Sequence, residues 1–158
     1  MSSFNSRLKD SVQEKSSWLC VGLDMNPEAL GNNDLSSLKD HSFKVIDATR
    51  DLAVAYKPNF AFFERWGAVG FAWLEEIVSY IGKEHITIAD AKRGDIGNTA
   101  DQYAKSIFDH FGFDSVTLNP YMGSDSILPF LSRKEKGAFI LCRTSNRSAK
   151  ELQDRIVD

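Results

Sequence analysis

Ile86-Thr87-Ile88-Ala89 runs directly into Asp90-Ala91-Lys92-Arg93-Gly94-Asp95-Ile96-Gly97-Asn98-Thr99, and this stretch decides the fold. Its short apolar start reads as a strand. Beyond Gly97, Ala100, Tyr103, Ala104, Ile107, Phe108 and Phe111 recur at the spacing of one helix face. Strand, charged turn and amphipathic helix make one β/α unit, and the same order repeats outward. Further strands are predicted at Trp18-Leu19-Cys20-Val21-Gly22, Ala53-Val54-Ala55-Tyr56, Ser115-Val116-Thr117-Leu118 and Ala138-Phe139-Ile140-Leu141-Cys142. Trp73, Leu74, Ile77, Val78 and Ile81 form a second helical stripe. Helices are also expected over Leu35 to Arg50, over Ser124 to Arg133, from near Ser148, and around Ser6 to Lys15.

This alternation implies an α/β fold with parallel strands and right-handed crossovers. Strands apolar on both faces fit a sheet covered on each side. No linker or composition break divides the chain, so residues 1–158 are read as a single domain. Polar residues gather where the strands end: Asp24, Lys57, Asp90 with Lys92, Asn119, and Arg143 to Ser145. The carboxyl ends of parallel strands share one rim. A β/α barrel builds its active site there, and an open doubly wound sheet also binds ligands beyond those ends. Gly94-Asp95-Ile96-Gly97 fits neither the dinucleotide fingerprint nor the phosphate-loop pattern.

Composition narrows the partners. Lysine and arginine number 19 against 22 aspartates and glutamates, a net charge of -3, which argues against a nucleic-acid-coating surface. A local cation cluster can still hold a small anion. No apolar run is long enough to span a bilayer, and Met1 to Arg7 contains no signal-peptide core. Cys20 and Cys142 lie in apolar runs, where a thiol is usually a small core residue, and a reduced, cytoplasmic protein is expected. His41, His85 and His110 have no close partner, so no metal site is suggested.

Asp90 and Lys92 are two residues apart at a strand end and point to the same side. If that side is a barrel interior, both leave water together and must pair or await a ligand. Arg93 should face away into a helix contact, and Asp95 is placed to cap the following helix. Other readings are structural. The charge run is compatible with a solvated turn, and Lys57 before Pro58 with a surface lysine. Asp24 can cap the turn at Asn26-Pro27, and Ser145 with Asn146 can cap the next helix. Phe60, Phe62, Phe63 and Trp66 read as packing, and Glu64-Arg65 as a structural ion pair.

Asp90-x-Lys92-x-x-Asp95-Ile96-x-x-Thr99 resembles the signature of the orotidine 5′-phosphate decarboxylases. Tyr56-Lys57-Pro58-Asn59-Phe60-Ala61-Phe62-Phe63-Glu64 is similar to the family's second-strand segment, and Val21-Gly22-Leu23-Asp24 to its first-strand end. Leu118-Asn119-Pro120-Tyr121-Met122-Gly123 and Cys142-Arg143-Thr144-Ser145-Asn146 resemble later strand ends of the longer, bacterial-type branch. The resemblance implies a (β/α)8 TIM barrel, present here to about its first five β/α units. It implies conversion of orotidine 5′-phosphate to UMP without metal or cofactor. Lys57, Asp90, Lys92 and Asp95 would be the catalytic charges. Asp24 and Lys57 would contact ribose, Ser145 the pyrimidine, and Asn119 would line the site. Asp95, Ile96 and Thr99 would reach a partner's site in a homodimer.

The family's later units carry a mobile loop and an arginine for the substrate phosphate, and no motif here replaces them. The 158-residue chain by itself is therefore expected to turn over weakly or not at all, with open sheet edges near Val21 and Ile140. Two alternatives stand beside this reading. One is a Mg²⁺-dependent phosphosugar decarboxylase or synthase of the same suprafamily, against which Lys57 counts as a poor metal ligand. The other is a non-catalytic fragment that dimerises through the Asp95 to Phe111 region.

Overall fold

Five strands alternate with helices in the computed structural model, which describes residues 2–155. Helix α1 (Phe4–Lys15) is followed by β1 (Leu19–Leu23), α2 (Pro27–Leu30) and α3 (Leu35–Thr49). Then come β2 (Ala53–Pro58), α4 (Ala61–Glu64), α5 (Ala68–Ile81) and β3 (Ile86–Arg93). Helix α6 (Gly97–Lys105) precedes β4 (Ser115–Leu118), α7 (Leu128–Leu131) and β5 (Gly137–Ile140).

The strands form one parallel sheet in the order β1-β2-β3-β4-β5. Neighbours in sequence are neighbours in space, so the described sheet has no switch point of the doubly wound kind. This is the order of a β/α-barrel wall. On one face, Leu23, Tyr56, Ala89 and Val116 belong to the main core with Leu38 and Ile46 of α3 and Trp73, Leu74 and Ile77 of α5. Trp73 Nε1 donates to Ser42 Oγ at 3.2 Å, joining α5 to α3. Phe60 and Phe63 are core residues, with Phe62 and Trp66 packed against them, so these aromatics serve packing as expected.

The opposite face is less covered. Ala55, Ile86 and Ile88 meet Phe4 and Leu8 of α1. Gly137 lets the Phe4 ring lie against the strand: a Cβ there would fall 2.5 Å from it and push the ring away. At the sheet margins Trp18, Leu19, Phe139 and Ile140 are exposed. Cys20 and Cys142 are exposed as well, not core thiols. Their runs lie on or just past β1 and β5, the two outer strands, where apolar sequence does not guarantee a covering layer.

The helix after Gly97 keeps its stripe: Ala100, Ala104, Ile107, Phe108 and Phe111 are buried, with Tyr103 half-buried. Its last turn, Ser106–His110, is a π-turn closed by Phe111 N–H donating to Ser106 O at 3.0 Å. The helix expected over Ser124 to Arg133 is instead a 3₁₀ turn (Ser124–Ser126) followed by the short α7. Pro129 lacks an amide hydrogen and fits only the first turn of a helix, which forces the restart. The segment near Ser148 is likewise a 3₁₀ turn, Arg147–Glu151.

Candidate active site

Period-two alternation along β3 puts Ile86, Ile88 and Asp90 on the less covered face of the sheet, and Asp90 is 9% exposed. Its carboxylate is gripped on both sides. Lys57 Nζ, from the end of β2, donates to Oδ2 at 3.0 Å, and Lys92 Nζ donates to Oδ1 at 2.6 Å. Burial alone would push the Asp90 pKa up. The hydrogen bonds and charges of Lys92 and Lys57 outweigh it and hold the carboxyl group below its usual value. Asp90 and Lys92 share one side, as their spacing predicts, and Lys57 joins them from the next strand, but the three charges do not leave water together. The Lys57 and Lys92 side chains are 33% and 52% exposed, because no described strand stands opposite this face.

The Asp90–Lys92 turn is held by its neighbours. Asp90 forms a parallel bridge with Asn59, and Phe60 N–H donates to Asp90 O at 3.2 Å. Lys92 has a left-handed backbone, φ 47°. Gly94 sits so close to β4 that a Cβ there would lie 2.5 Å from Asn119 O. Arg93 faces away, as expected, pairing with Glu64 at 2.6 Å over the rings of Phe60 and Tyr103. The expected Glu64–Arg65 pair is therefore not formed, since Arg65 reaches Glu28 instead. On a helix, adjacent residues point in different directions, and each found a charge elsewhere.

The remaining rim residues are spread more widely. Asp24 is exposed, and Asn59 Nδ2 approaches its Oδ2 at 3.5 Å. The cap at Asn26-Pro27 comes from Asn26 itself, whose Oδ1 accepts Glu28 N–H at 3.0 Å, and not from Asp24. Asp95 does not join the cluster. Its Oδ1 accepts the Ile96 N–H at 2.8 Å, and Ile96, not Asp95, holds the N-cap position of α6. Ile96 and Thr99 are exposed on the outer surface. Asn119 spends its Oδ1 on the Tyr121 N–H at 3.0 Å and lines a separate 420 Å³ hollow with Tyr121, Cys142 and Thr144. Ser145 is exposed beyond β5, and Asn146 precedes its 3₁₀ turn without a side-chain cap, its Oδ1 accepting from Thr144 Oγ1 at 2.6 Å.

Two residues that sequence reasoning did not assign stand in the cluster. Asn59 bridges toward Asp24. Thr117, on β4, accepts the Lys92 N–H at 2.9 Å and donates to Asp90 Oδ1 at 3.1 Å. The available signal for Thr117 was a hydroxyl in an apolar strand. Next to the cluster, Cys20, Ala55, Ile88 and Phe139 line an apolar cavity of 340 Å³ that Lys57 and Thr117 also border. Among the described residues no group of His, Cys, Asp and Glu is arranged to hold a metal ion.

Comparison with known proteins follows the same lines. The model of the orotidine 5′-phosphate decarboxylase / HUMPS family matches residues 17–158. A protein of Herpetosiphon aurantiacus called orotidine 5′-phosphate decarboxylase is 42% identical, over 98% of this chain and 59% of that protein. One of the same name from Flavobacterium johnsoniae is 46% identical, over 93% of this chain and 56% of its own length. The solved structure of Leishmania donovani OMP decarboxylase superposes with a TM-score of 0.89 at 41% identity, over 99% of this chain and 60% of that one. The chain thus spans somewhat over half the length of the curated relatives it matches.

Proposed function

The chain belongs to the orotidine 5′-phosphate decarboxylase / HUMPS family, and on that premise we propose that its rim cluster serves the decarboxylation of orotidine 5′-phosphate to UMP. The observation that carries this reading is one buried carboxylate, Asp90, clamped between the Lys57 and Lys92 ammonium groups at a strand-end rim. Breaking the bond from C6 to the carboxylate leaves an electron pair on a carbon with no good sink. No bound cofactor is needed if an ammonium stands ready to stabilise that charge. Lys92 takes this role and then transfers a proton from Nζ to C6, recovering it afterwards from solvent. Asp90 holds Lys92 in place and lies near the departing carboxylate, and Lys57 balances Asp90 and contacts ribose together with Asp24. Ser145 hydrogen-bonds the pyrimidine, and Asn119 lines the site from further along the rim.

Asp95, Ile96 and Thr99 act in a partner's site within a homodimer. This is supported by their position off the cluster and by the exposure of Ile96 and Thr99. Residues 1–158 belong to one domain of a cytoplasmic protein; among the described residues no helix is long and apolar enough to cross a membrane. Substrate binding through the remote phosphate normally supplies energy used at the reacting carbon. No motif in this chain marks such a site, so the 158-residue chain acting alone turns over weakly or not at all. A Mg²⁺-dependent reaction is disfavoured by the Lys57 ammonium beside Asp90, which occupies the place a metal would need.

The test has a binding arm and a turnover arm. UMP added at roughly millimolar concentration, in the range of weak specific binding, should perturb the amide resonances of Lys57, Asp90 and Lys92. Lys92→Ala should keep UMP binding and lose all release of CO₂ from orotidine 5′-phosphate. UMP that leaves the cluster unperturbed, or a Lys92→Ala protein with undiminished turnover, rejects the proposal.

A further inference from the structure

Lys92 sits in an uncomfortable place for a lysine. The described non-glycine residues with positive φ are Ser16 and Lys92. Ser16 is the C-cap of α1, where a left-handed residue is ordinary. Lys92 lies inside a strand, where an L residue rarely adopts that conformation. The cause is a break in the β3–β4 ladder: the register shifts between Ala89 and Arg93, and regular pairing resumes with Arg93 opposite Leu118. The Lys92 N–H therefore has no main-chain acceptor across the ladder. It goes to the Thr117 hydroxyl at 2.9 Å.

That hydroxyl has one hydrogen, and the nearer of its two acceptors is Asp90 Oδ1 at 3.1 Å, against 3.5 Å to Ala89 O. Asp90 Oδ1 is the same oxygen that receives Lys92 Nζ at 2.6 Å. One side chain thus fixes both ends of Lys92: the backbone N–H at its root and the anion that anchors its tip. We infer that Thr117 is a positioning residue that holds Lys92 in its left-handed turn and its ammonium on Asp90. The inference deepens the decarboxylase reading and rests on it for its catalytic meaning, whereas the geometry it describes does not. Serine keeps the hydroxyl and meets the requirement. Valine has nearly the same shape but neither donates nor accepts, so it leaves the Lys92 N–H and Asp90 Oδ1 each short of a partner.

The experiment separates positioning from turnover. In the wild-type chain, the Lys92 amide should exchange with solvent deuterium about tenfold or more slowly than an unprotected amide, as a hydrogen-bonded group does. An unprotected Lys92 amide in the folded wild type overturns the inference, even if no variant folds. In Thr117→Val that protection and the Lys92 Nζ resonance should change, while Thr117→Ser restores both. A folded Thr117→Val protein indistinguishable from wild type in these signals, or a Thr117→Ser protein as perturbed as valine, overturns it too. Where CO₂ release is measurable, Thr117→Val should lower kcat roughly tenfold with KM little changed, the mark of a contact that matters mainly in the transition state. Absence of decarboxylation, with the exchange results intact, leaves the role of Thr117 standing, whereas UMP that fails to perturb the cluster counts against the proposed function alone.

Discussion

Asp90→Asn preserves volume but removes the negative charge that Lys57 and Lys92 share, and its cost can be worked from the geometry. A sheltered hydrogen bond to a charged group contributes about 1.5–3 kcal/mol, and a fully exposed ion pair ~0–1 kcal/mol. Asp90 is buried, but the lysine side chains are 33% and 52% exposed, so solvent screening discounts both bonds. About 1 kcal/mol for each is reasonable after that discount. Two ammonium groups left facing one uncharged amide in a water-open site add up to about 1 kcal/mol of repulsion. The expected loss is therefore about 2–3 kcal/mol, a fall in Tm of roughly 5–10 °C for a chain of this size. Urea denaturation at neutral pH reads it directly. The pH dependence provides an internal control. The folded pKa of Asp90 lies below its unfolded value, so the stabilisation is complete above the unfolded value of about 3.9. It shrinks as pH falls past that point and is gone below the folded pKa. The gap between wild type and Asp90→Asn should hold from neutrality to about pH 5 and close only in stronger acid. A neutral-pH difference under about 0.5 kcal/mol, the size of an ordinary surface substitution, or a gap that ignores acid, would refute the clamp.

Two other perturbations test neighbouring parts of the structure. Gly94→Ala places a Cβ 2.5 Å from the Asn119 carbonyl oxygen, a backbone atom that cannot swing aside. It should cost roughly 1–3 kcal/mol by overpacking and weaken the Asn119 N–H to Arg93 O bond; an alanine variant as stable as wild type in urea contradicts that contact. Both thiols should react in the native protein with a water-soluble thiol reagent, since Cys20 and Cys142 are exposed. Partial burial pushes the Cys20 pKa up against the weaker pull of Lys57, so its rate should keep rising above the pH at which an ordinary thiol levels off. Protection of either thiol until unfolding would show that another surface covers the sheet margin.

What the sequence made legible follows from how far each signal reaches along the chain. A short apolar run and a helix with a one-sided stripe announce themselves locally, so β4 falls on Ser115–Leu118 as expected and α6 keeps its buried face. Helices α2 and α4 span four residues each, about one turn, and leave no periodicity to detect. Strand β3 runs on through its charged residues to Arg93, because neighbouring strands and not composition decide where pairing stops. Cys20 and Cys142 show the converse: an apolar run says that a residue tolerates burial, and only the neighbouring layer decides whether burial occurs.

The site divides along the same line. Asp90 and Lys92 are close in sequence on one element, and Lys57 ends the adjacent strand, so local geometry plus strand order nearly suffices to join them. Thr117 and Asn59 could not be reached that way. Their roles depend on the register of β3 against β4 and on an isolated bridge beside β2, which are set by the packing of the whole sheet. Asp95 lies at the limit of this logic. It is two residues beyond the end of β3, yet the turn at Gly94 carries it off the cluster and its carboxylate closes on its own neighbour's N–H. A carboxylate that is sequence-adjacent to a charge network but spatially excluded from it has two physical outcomes: it remains a turn residue, or it meets another molecule's cluster. The homodimer reading selects the second, and it requires that a second copy bring Asp95 close enough to Lys92 to share the ammonium that Asp90 now holds alone.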